Sequence, residues 1–327
     1  MGLSTAWLAA KRDRSIRQAV KAEEICLTTG PQNVFIQPMD SLCKNDDAYS
    51  VVIPTYNRVH TLRRALDSVF AQTRAAQRVI VVDDGSTDES ATMMETHYPT
   101  VTLIRQENQG VSAARNRGLS MVDTPWIAFL DSDDEWLPQK MARQFAALNE
   151  QPHFAFCHTE EIWIRNGVRV NQMKKHQKSG GDVFRRSLQL CCISPSSALI
   201  HRRLFDVYGC FDEGLPACED YDLWLRICAH EPVLFIDQPM IIKYGGHDDQ
   251  LSRLHWGMDR FRIKALESLL ETGQLNPVQT QQTHRVLMAK LKVLLNGARK
   301  RGNQEVLSLY GEKHTLWDGF LESMDEI

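Results

Sequence analysis

Residues 126–138 read WIAFLDSDDEWLP. Trp126-Ile127-Ala128-Phe129-Leu130 is a short continuous apolar run, the pattern of a strand buried on both faces. It leads into four acidic residues, Asp131, Asp133, Asp134 and Glu135, within five positions. Carboxylates crowded at the end of a buried strand repel one another, so a positive charge is expected among them. Two readings fit these residues taken alone. A divalent cation carrying a diphosphate suits them, because hard cations take carboxylate and phosphate oxygens. A solvated acidic turn ahead of a helix starting near Pro138 suits them as well.

Working outward, the same strand, loop and helix pattern precedes this stretch three times. Val51-Val52-Ile53 is an apolar run ended by Pro54, and Thr61–Phe70 follows with Leu62, Ala65, Leu66, Val69 and Phe70 on one helical face. Val79–Val82 leads through Asp83-Asp84-Gly85-Ser86-Thr87-Asp88 into a helix ending near Thr96, and Val101–Ile104 leads through Asn108-Gln109-Gly110 into a helix over Ser112–Met121. Four such alternations imply an α/β fold: a Rossmann-like mixed, mostly parallel sheet flanked by helices. Ligands of such sheets sit at the carboxyl ends of the strands, so the loops 54–58, 83–88, 108–110 and 131–134 share one rim.

Beyond residue 150 the pattern loosens. Phe154–Cys157 and Glu161–Ile164 read as strands, with Asn166-Gly167 as a hairpin turn. From Ile162 to Arg203 there are nine Lys and Arg (Arg165, Arg169, Lys174, Lys175, Lys178, Arg185, Arg186, Arg202, Arg203) against one acid, Asp182, a local charge of +8. A solvated face is the default for such a stretch, and an anionic lipid-linked acceptor or membrane surface is the sharper alternative. Glu219–Ala229 has acids at its start and apolar residues along one face, as a helix should. From Met258 the periodicity gives helices over 258–272, 277–301 and 304–322. The organisation expected is an N-terminal appendage (1–48), a catalytic domain (49–255, with a nucleotide-binding half to 138 and an acceptor half from 139) and a helical C-terminal extension (256–327). The appendage holds a candidate helix, Trp7 to Ile25, and a turn-rich run, 28–33.

At 327 residues, 43% hydrophobic, 24% charged and net −3, the chain has a globular composition and no global charge that would draw it to nucleic acid. No run approaches the roughly 18–20 apolar residues of a membrane span, and Lys11-Arg12-Asp13-Arg14 interrupts any signal-like apolar core, so a cytoplasmic protein is expected. Eight cysteines without a CxxC pair read as reduced core residues.

Four features stand in order: Thr55-Tyr56-Asn57-Arg58, the loop VVDDGSTDES, the acidic FLDSDDEWLP, and Glu219-Asp220-Tyr221-Asp222-Leu223-Trp224. Together they resemble the family 2 glycosyltransferases of the nucleotide-diphospho-sugar transferase type A fold, over about residues 49–250. The resemblance implies a transfer with inversion from a UDP-sugar to an acceptor hydroxyl, without a covalent glycosyl-enzyme, and a surface polysaccharide or lipid-linked saccharide as acceptor. Asp84 is then the carboxylate that accepts from the uracil ring, and Tyr56, within a donor-binding run Pro54, Thr55, Tyr56 and Asn57, the platform for the base. Asp133 matches the ribose-binding acid, which also stands beside the metal. Asp134 matches the ligand of Mn2+ or Mg2+, and Asp131 is a strand-end support. Arg115 would add a cation to the phosphates. Asp220 matches the general base, with Glu219 as the fallback, and His247 lies in the loop that approaches the diphosphate.

A dehydrogenase would need G-x-G-x-x-G after the first strand, where Pro54–Arg58 holds no glycine. A nucleotidyltransferase would want a glycine-rich basic loop there. The alternative kept is a catalytically inactive module of the same fold that binds a nucleotide sugar or a partner. Peripheral membrane contact and a homo-oligomer through the C-terminal helices stay open.

Overall fold

In the computed structural model the described residues are 47–246 and 255–320. The candidate helix Trp7 to Ile25, the run 28–33, Cys26, Cys43 and His247 lie outside them.

Strand β1 (Tyr49–Thr55) is followed by α1 (Val59–Phe70), β2 (Arg78–Asp83), α2 (Ser90–His97), β3 (Thr102–Arg105), α3 (Val111–Leu119) and β4 (Trp126–Phe129). Next come β5 (Glu135–Trp136), α4 (Lys140–Glu150), β6 (Phe156–Arg165), β7 (Val168–Val170), α5 (Phe184–Ser187), β8 (Leu199–His201), α6 (Arg203–Tyr208), α7 (Glu219–Cys228) and β9 (Leu234–Gly245). Three helices close the described chain: α8 (Asp259–Glu271), α9 (Pro277–Arg301) and α10 (Gln304–Asp318).

The sheet order is β3-β2-β1-β4-β8-β6-β9-β5, with β7 on β6. Strands β1 to β4, β6 and β9 run in one direction, and β5, β7 and β8 oppose them. Period-2 alternation sorts the strand side chains into two layers. Val51, Ile53, Val79, Val81, Ala128 and Leu130 pack with α1 and α4 through Leu62, Leu66, Met141 and Phe145. Val52, Ile80, Val82, Ile127 and Phe129 pack on the opposite face with Ala114 of α3 and Leu223, Trp224 and Ile227 of α7. A third cluster joins Phe184, Leu188, Tyr221 and Leu225 to α8, α9 and α10, so the C-terminal helices lie against α5 and α7. Among the described residues no helix is long and apolar enough to cross a membrane.

Several sequence expectations change here. The first strand continues through Pro54 to Thr55, because its ladder to β4 ends at Val52↔Phe129 and Pro54 faces only Val82 of β2. The two expected strands after residue 150 are one, β6, whose register shifts at Thr159/Glu160 and Glu160/Glu161. Buried His158 and Thr159 interrupt its apolar pattern, so the sequence reads as a break. Strands β5, β8 and β9 carried no sequence signal strong enough to read. Of the nine cations, Lys178 is buried and paired with Glu161 at 3.1 Å, and Arg203 pairs with Glu231 at 3.2 Å, which reduces the charge left for a partner. All six described cysteines are free thiols.

Lys140, at the start of α4, is 0% exposed. Its Nζ donates to Gln144 Oε1 at 2.9 Å and lies 4.1 Å from the centroid of the Trp136 ring, with no carboxylate in ion-pair range among the described residues. Burial pulls its ammonium down to about 7. A lysine depressed in the fold costs stability wherever the unfolded chain stays protonated: the cost is full below about pH 7 and fades toward pH 10.5. Lys140→Met is therefore expected to stabilise the protein by about 2 kcal/mol at neutral pH, with the gain vanishing in alkaline buffer. Urea titrations at pH 6.5 and 10 measure this, and an equal gain at both would show that the ammonium is not the cause.

Candidate active site

The loops after β1 and β2 are tied into one structure. Asn57 takes a positive φ of 51°, which asparagine tolerates, and its Oδ1 accepts from Thr87 N at 2.8 Å and Asp88 N at 3.4 Å. In return Ser86 Oγ accepts from Asn57 N at 2.9 Å and Ser90 Oγ from Arg58 N at 3.3 Å. The Asp88 carboxylate receives Val59 N at 3.0 Å and Ser90 N at 3.0 Å, so one side chain serves the starts of both α1 and α2. Burial raises its carboxyl, and these hydrogen bonds bring it below the usual value. Tyr56, at the tip, is 45% exposed and presents an open ring.

Asp84 is buried at the carboxyl end of β2. Its Oδ1 accepts from Gln106 Nε2 at 2.8 Å and Gln109 N at 2.9 Å, and its Oδ2 from Gly110 N at 2.8 Å. A carboxylate offers about four acceptor positions, so one remains on Oδ2. Gly110, at φ 91°, turns this loop into α3. Gly118 then lets α3 lie directly on the sheet, where a Cβ would overlap Val52.

After β4 the acidic residues separate by environment. Asp134 is 1% exposed, and its oxygens are engaged: Ser196 Oγ donates to Oδ2 at 2.6 Å and Tyr244 N to Oδ1 at 3.3 Å, with Lys243 Nζ at 3.8 Å. Burial lifts its carboxyl well above the usual range, and Asp133 and Asp131 add to the lift against Lys243. Asp134, which the sequence reading expects to hold the metal, is thus an enclosed carboxylate with a hydrogen bond to each oxygen. Asp133 is half-buried and has no ion-pair partner among the described residues. Its carboxyl is raised first by burial and then by the charge of Asp131. An under-compensated, accessible oxygen ligand of this kind fits a hard divalent cation. Among the described residues no three His, Cys, Asp or Glu side chains are grouped to hold a metal. One or two carboxylates completed by phosphate oxygens is, however, how Mg2+-like ions are commonly bound.

Arg115 is a buried bridge. Its Nη2 donates to Asp131 Oδ1 at 2.7 Å and its Nη1 to Glu219 Oε1 at 2.6 Å, with its side chain 4% exposed. Burial raises the Asp131 carboxyl, and Arg115 and Lys243 bring it below its usual value. Glu219 goes the other way, raised by burial beyond what Arg115 recovers. The sequence placed Arg115 on donor phosphates and Glu219 as a fallback base. The structure instead engages each with the other. Asp220 is half-buried on the first turn of α7, behind Cys218 with its positive φ of 63°. Its Oδ1 accepts from Tyr221 N at 2.7 Å and its Oδ2 from the Cys191 thiol at 3.2 Å.

Sequence reasoning missed Ser196, Lys243 and Cys191. Ser196 Oγ accepts from Asp131 N at 3.1 Å while donating to Asp134, so it fixes the acidic turn. No periodicity or motif marks a serine in a short 3-10 turn. Lys243 sits on β9, the long strand that the sequence reading did not recover.

The matching family model is Glycosyl transferase family 2, over residues 50–209. An uncharacterized glycosyltransferase of Rickettsia typhi is 31% identical over 206 residues, 62% of this chain and 64% of that protein, so the chain spans a little under two thirds of it. A UDP-Glc:alpha-D-GlcNAc-diphosphoundecaprenol beta-1,3-glucosyltransferase of Escherichia coli is 30% identical over 185 residues, 56% of this chain and 70% of that one. Among solved structures, S. aureus TarS residues 1–349 in complex with UDP-GlcNAc superposes with a TM-score of 0.60 at 19% identity, covering 83% of this chain and 78% of that one, a likeness of fold. On the matched motifs, the shared fold and the E. coli relative, the chain belongs to glycosyl transferase family 2.

Proposed function

We propose that the chain is an inverting glycosyltransferase that moves a sugar from a UDP-sugar to an acceptor hydroxyl, in the synthesis of a surface polysaccharide or lipid-linked oligosaccharide. The observation that carries this reading is the joining of Asp131, at the end of β4, to the Glu219-Asp220 turn of α7 through Arg115. It ties the acidic motif to a second, accessible carboxylate on another element. The substrates in the name of the E. coli relative, a UDP-glucose donor and a diphosphoundecaprenol-linked acceptor, support the substrate class.

In this reading Tyr56 stacks on the uracil, and the remaining acceptor position of Asp84 takes the ring N–H. Asp133, together with donor phosphate oxygens, would hold Mn2+ or Mg2+, which would supply Lewis-acid stabilisation of the leaving diphosphate. Asp133 thus takes the role the sequence gave to Asp134, and Asp134 becomes the buried support of the turn. The acceptor oxygen forms a bond to the anomeric carbon from the face opposite the diphosphate. The bond to the diphosphate oxygen breaks with its electron pair on that oxygen, and the acceptor proton passes to Asp220.

The test is UDP release, followed by mass spectrometry, from a panel of UDP-hexoses and UDP-N-acetylhexosamines with Mn2+, with and without saccharide acceptors. Release from at least one donor is expected. A protein that binds UDP with Mn2+ yet releases none across the panel would be the inactive module instead. Tyr56→Ala should weaken UDP binding about tenfold through lost stacking. Its stability should stay within the roughly 0.5 kcal/mol usual for exposed positions.

A further inference from the structure

Arg115 contributes nothing to the surface: its side chain is 4% exposed and its guanidinium lies 5.2 Å from the centroid of the Phe211 ring. Two carboxylates from distant elements converge on it, Asp131 from the end of β4 and Glu219 from the first residue of α7. Its own helix is fixed, because α3 lies on β1 at Gly118 and Asn116 of the same helix bonds both ways with Phe211, Nδ2 to the carbonyl at 2.9 Å and Oδ1 from the amide at 3.0 Å. A planar group with parallel donors is suited to holding two carboxylates at a set separation, which a lysine cannot reproduce.

We infer that Arg115 is a positioning residue that fastens the first turn of α7, and with it Asp220, to the acidic end of β4, and that it does not contact the donor phosphates. The inference rests on the reading of Asp220 as the base. Residue for residue, Glu219 supplies the anchor and Asp220, its neighbour, the accessible carboxylate. The left-handed backbone at Cys218 ends the preceding segment and starts α7 directly at the anchor. The donor side and the base side of the cleft are thereby held in one geometry by a single cation. A misplacement of about 1 Å in such a constellation costs on the order of a hundredfold in rate.

The variants are Arg115→Lys, Arg115→Met and the double variant Arg115→Met/Glu219→Gln, examined as the full chain. Arg115→Lys is expected to keep UDP affinity in the presence of Mn2+ within threefold by calorimetry, while amide hydrogen exchange over residues 219–225 speeds up at least tenfold. The turnover number for UDP release from UDP-glucose or UDP-N-acetylglucosamine should fall at least tenfold with little change in KM. In Arg115→Met the buried Glu219 carboxyl loses the cation that offsets its burial and takes up a proton, so adding Glu219→Gln should change neither exchange nor turnover further. A tenfold or greater loss of UDP affinity with unchanged exchange over 219–225 would overturn the inference and return Arg115 to the phosphates. Unchanged exchange and unchanged turnover in Arg115→Lys would overturn it as well. If Asp220→Asn retains turnover, the reading of Asp220 fails separately, while exchange and UDP affinity still decide whether Arg115 is a bridge or a phosphate ligand.

Discussion

Asp220→Asn is expected to lower glycosyl transfer by at least about a hundredfold, the scale on which a positioned general base contributes. Binding of UDP with Mn2+ should be unaffected. The substitution is close to isosteric, and an asparagine carbonyl still accepts from either Tyr221 N or the Cys191 thiol, which now bond to the two carboxylate oxygens. Folding is therefore not the route by which activity is lost. Measuring transfer and UDP affinity on the same preparation separates the two effects. Transfer at the wild-type rate would remove Asp220 as the base, and Glu219 is a poor replacement because Arg115 already holds it at 2.6 Å.

Asp133→Asn should remove the dependence of UDP affinity on Mn2+, a loss of tenfold or more in calorimetry with the metal and little change without it. Stability should stay level or rise by up to about 1 kcal/mol, since the substitution relieves repulsion from Asp131 at a half-exposed position where solvent screens part of it. Asp134→Ala should behave oppositely. It strands the Ser196 hydroxyl and Tyr244 N of the buried turn, so thermal stability falls. Loss of the metal dependence in Asp134→Asn with its retention in Asp133→Asn would return the metal to Asp134.

Much of the fold was legible because the first half of the chain obeys local rules without conflict. Each early strand is a continuous apolar run, α1 has one apolar face, and polar, glycine-bearing loops set off the helices that follow β2 and β3, so type and order followed from local pattern. The bounds of α9 matched its sequence reading because the punctuation is strong: a capping box at Asn276 and Gln279, Pro277 in the first turn, and Gly302 in the left-handed conformation at the end. Legibility failed where tertiary context overrode composition. Strand β9 carries Asp237, Gln238 and Pro239 in its middle, and it pairs with β6 across a register shift that no single-strand pattern announces. In the site, the acidic residues were found by motif, but the environments that separate them were not. Asp131, Asp133 and Asp134 look alike in sequence, and only the partners brought from Ser196, Lys243, Tyr244 and Arg115 tell them apart. Those partners lie about 16 to 110 residues away along the chain.

The lacing of the first two loops has a consequence for how this protein can change. Asn57, Ser86, Asp88 and Ser90 hold one another across 29 to 32 residues of sequence, and the same side chains open α1 and α2. Neither loop is then an independent unit of variation. A substitution in one alters the frame of the other, so effects at Asn57 and Asp88 combine non-additively. A loop transplanted alone from a relative would arrive without its counterpart. The two loops therefore vary as one exchangeable cassette, and a change tolerated in either depends on what the other already carries.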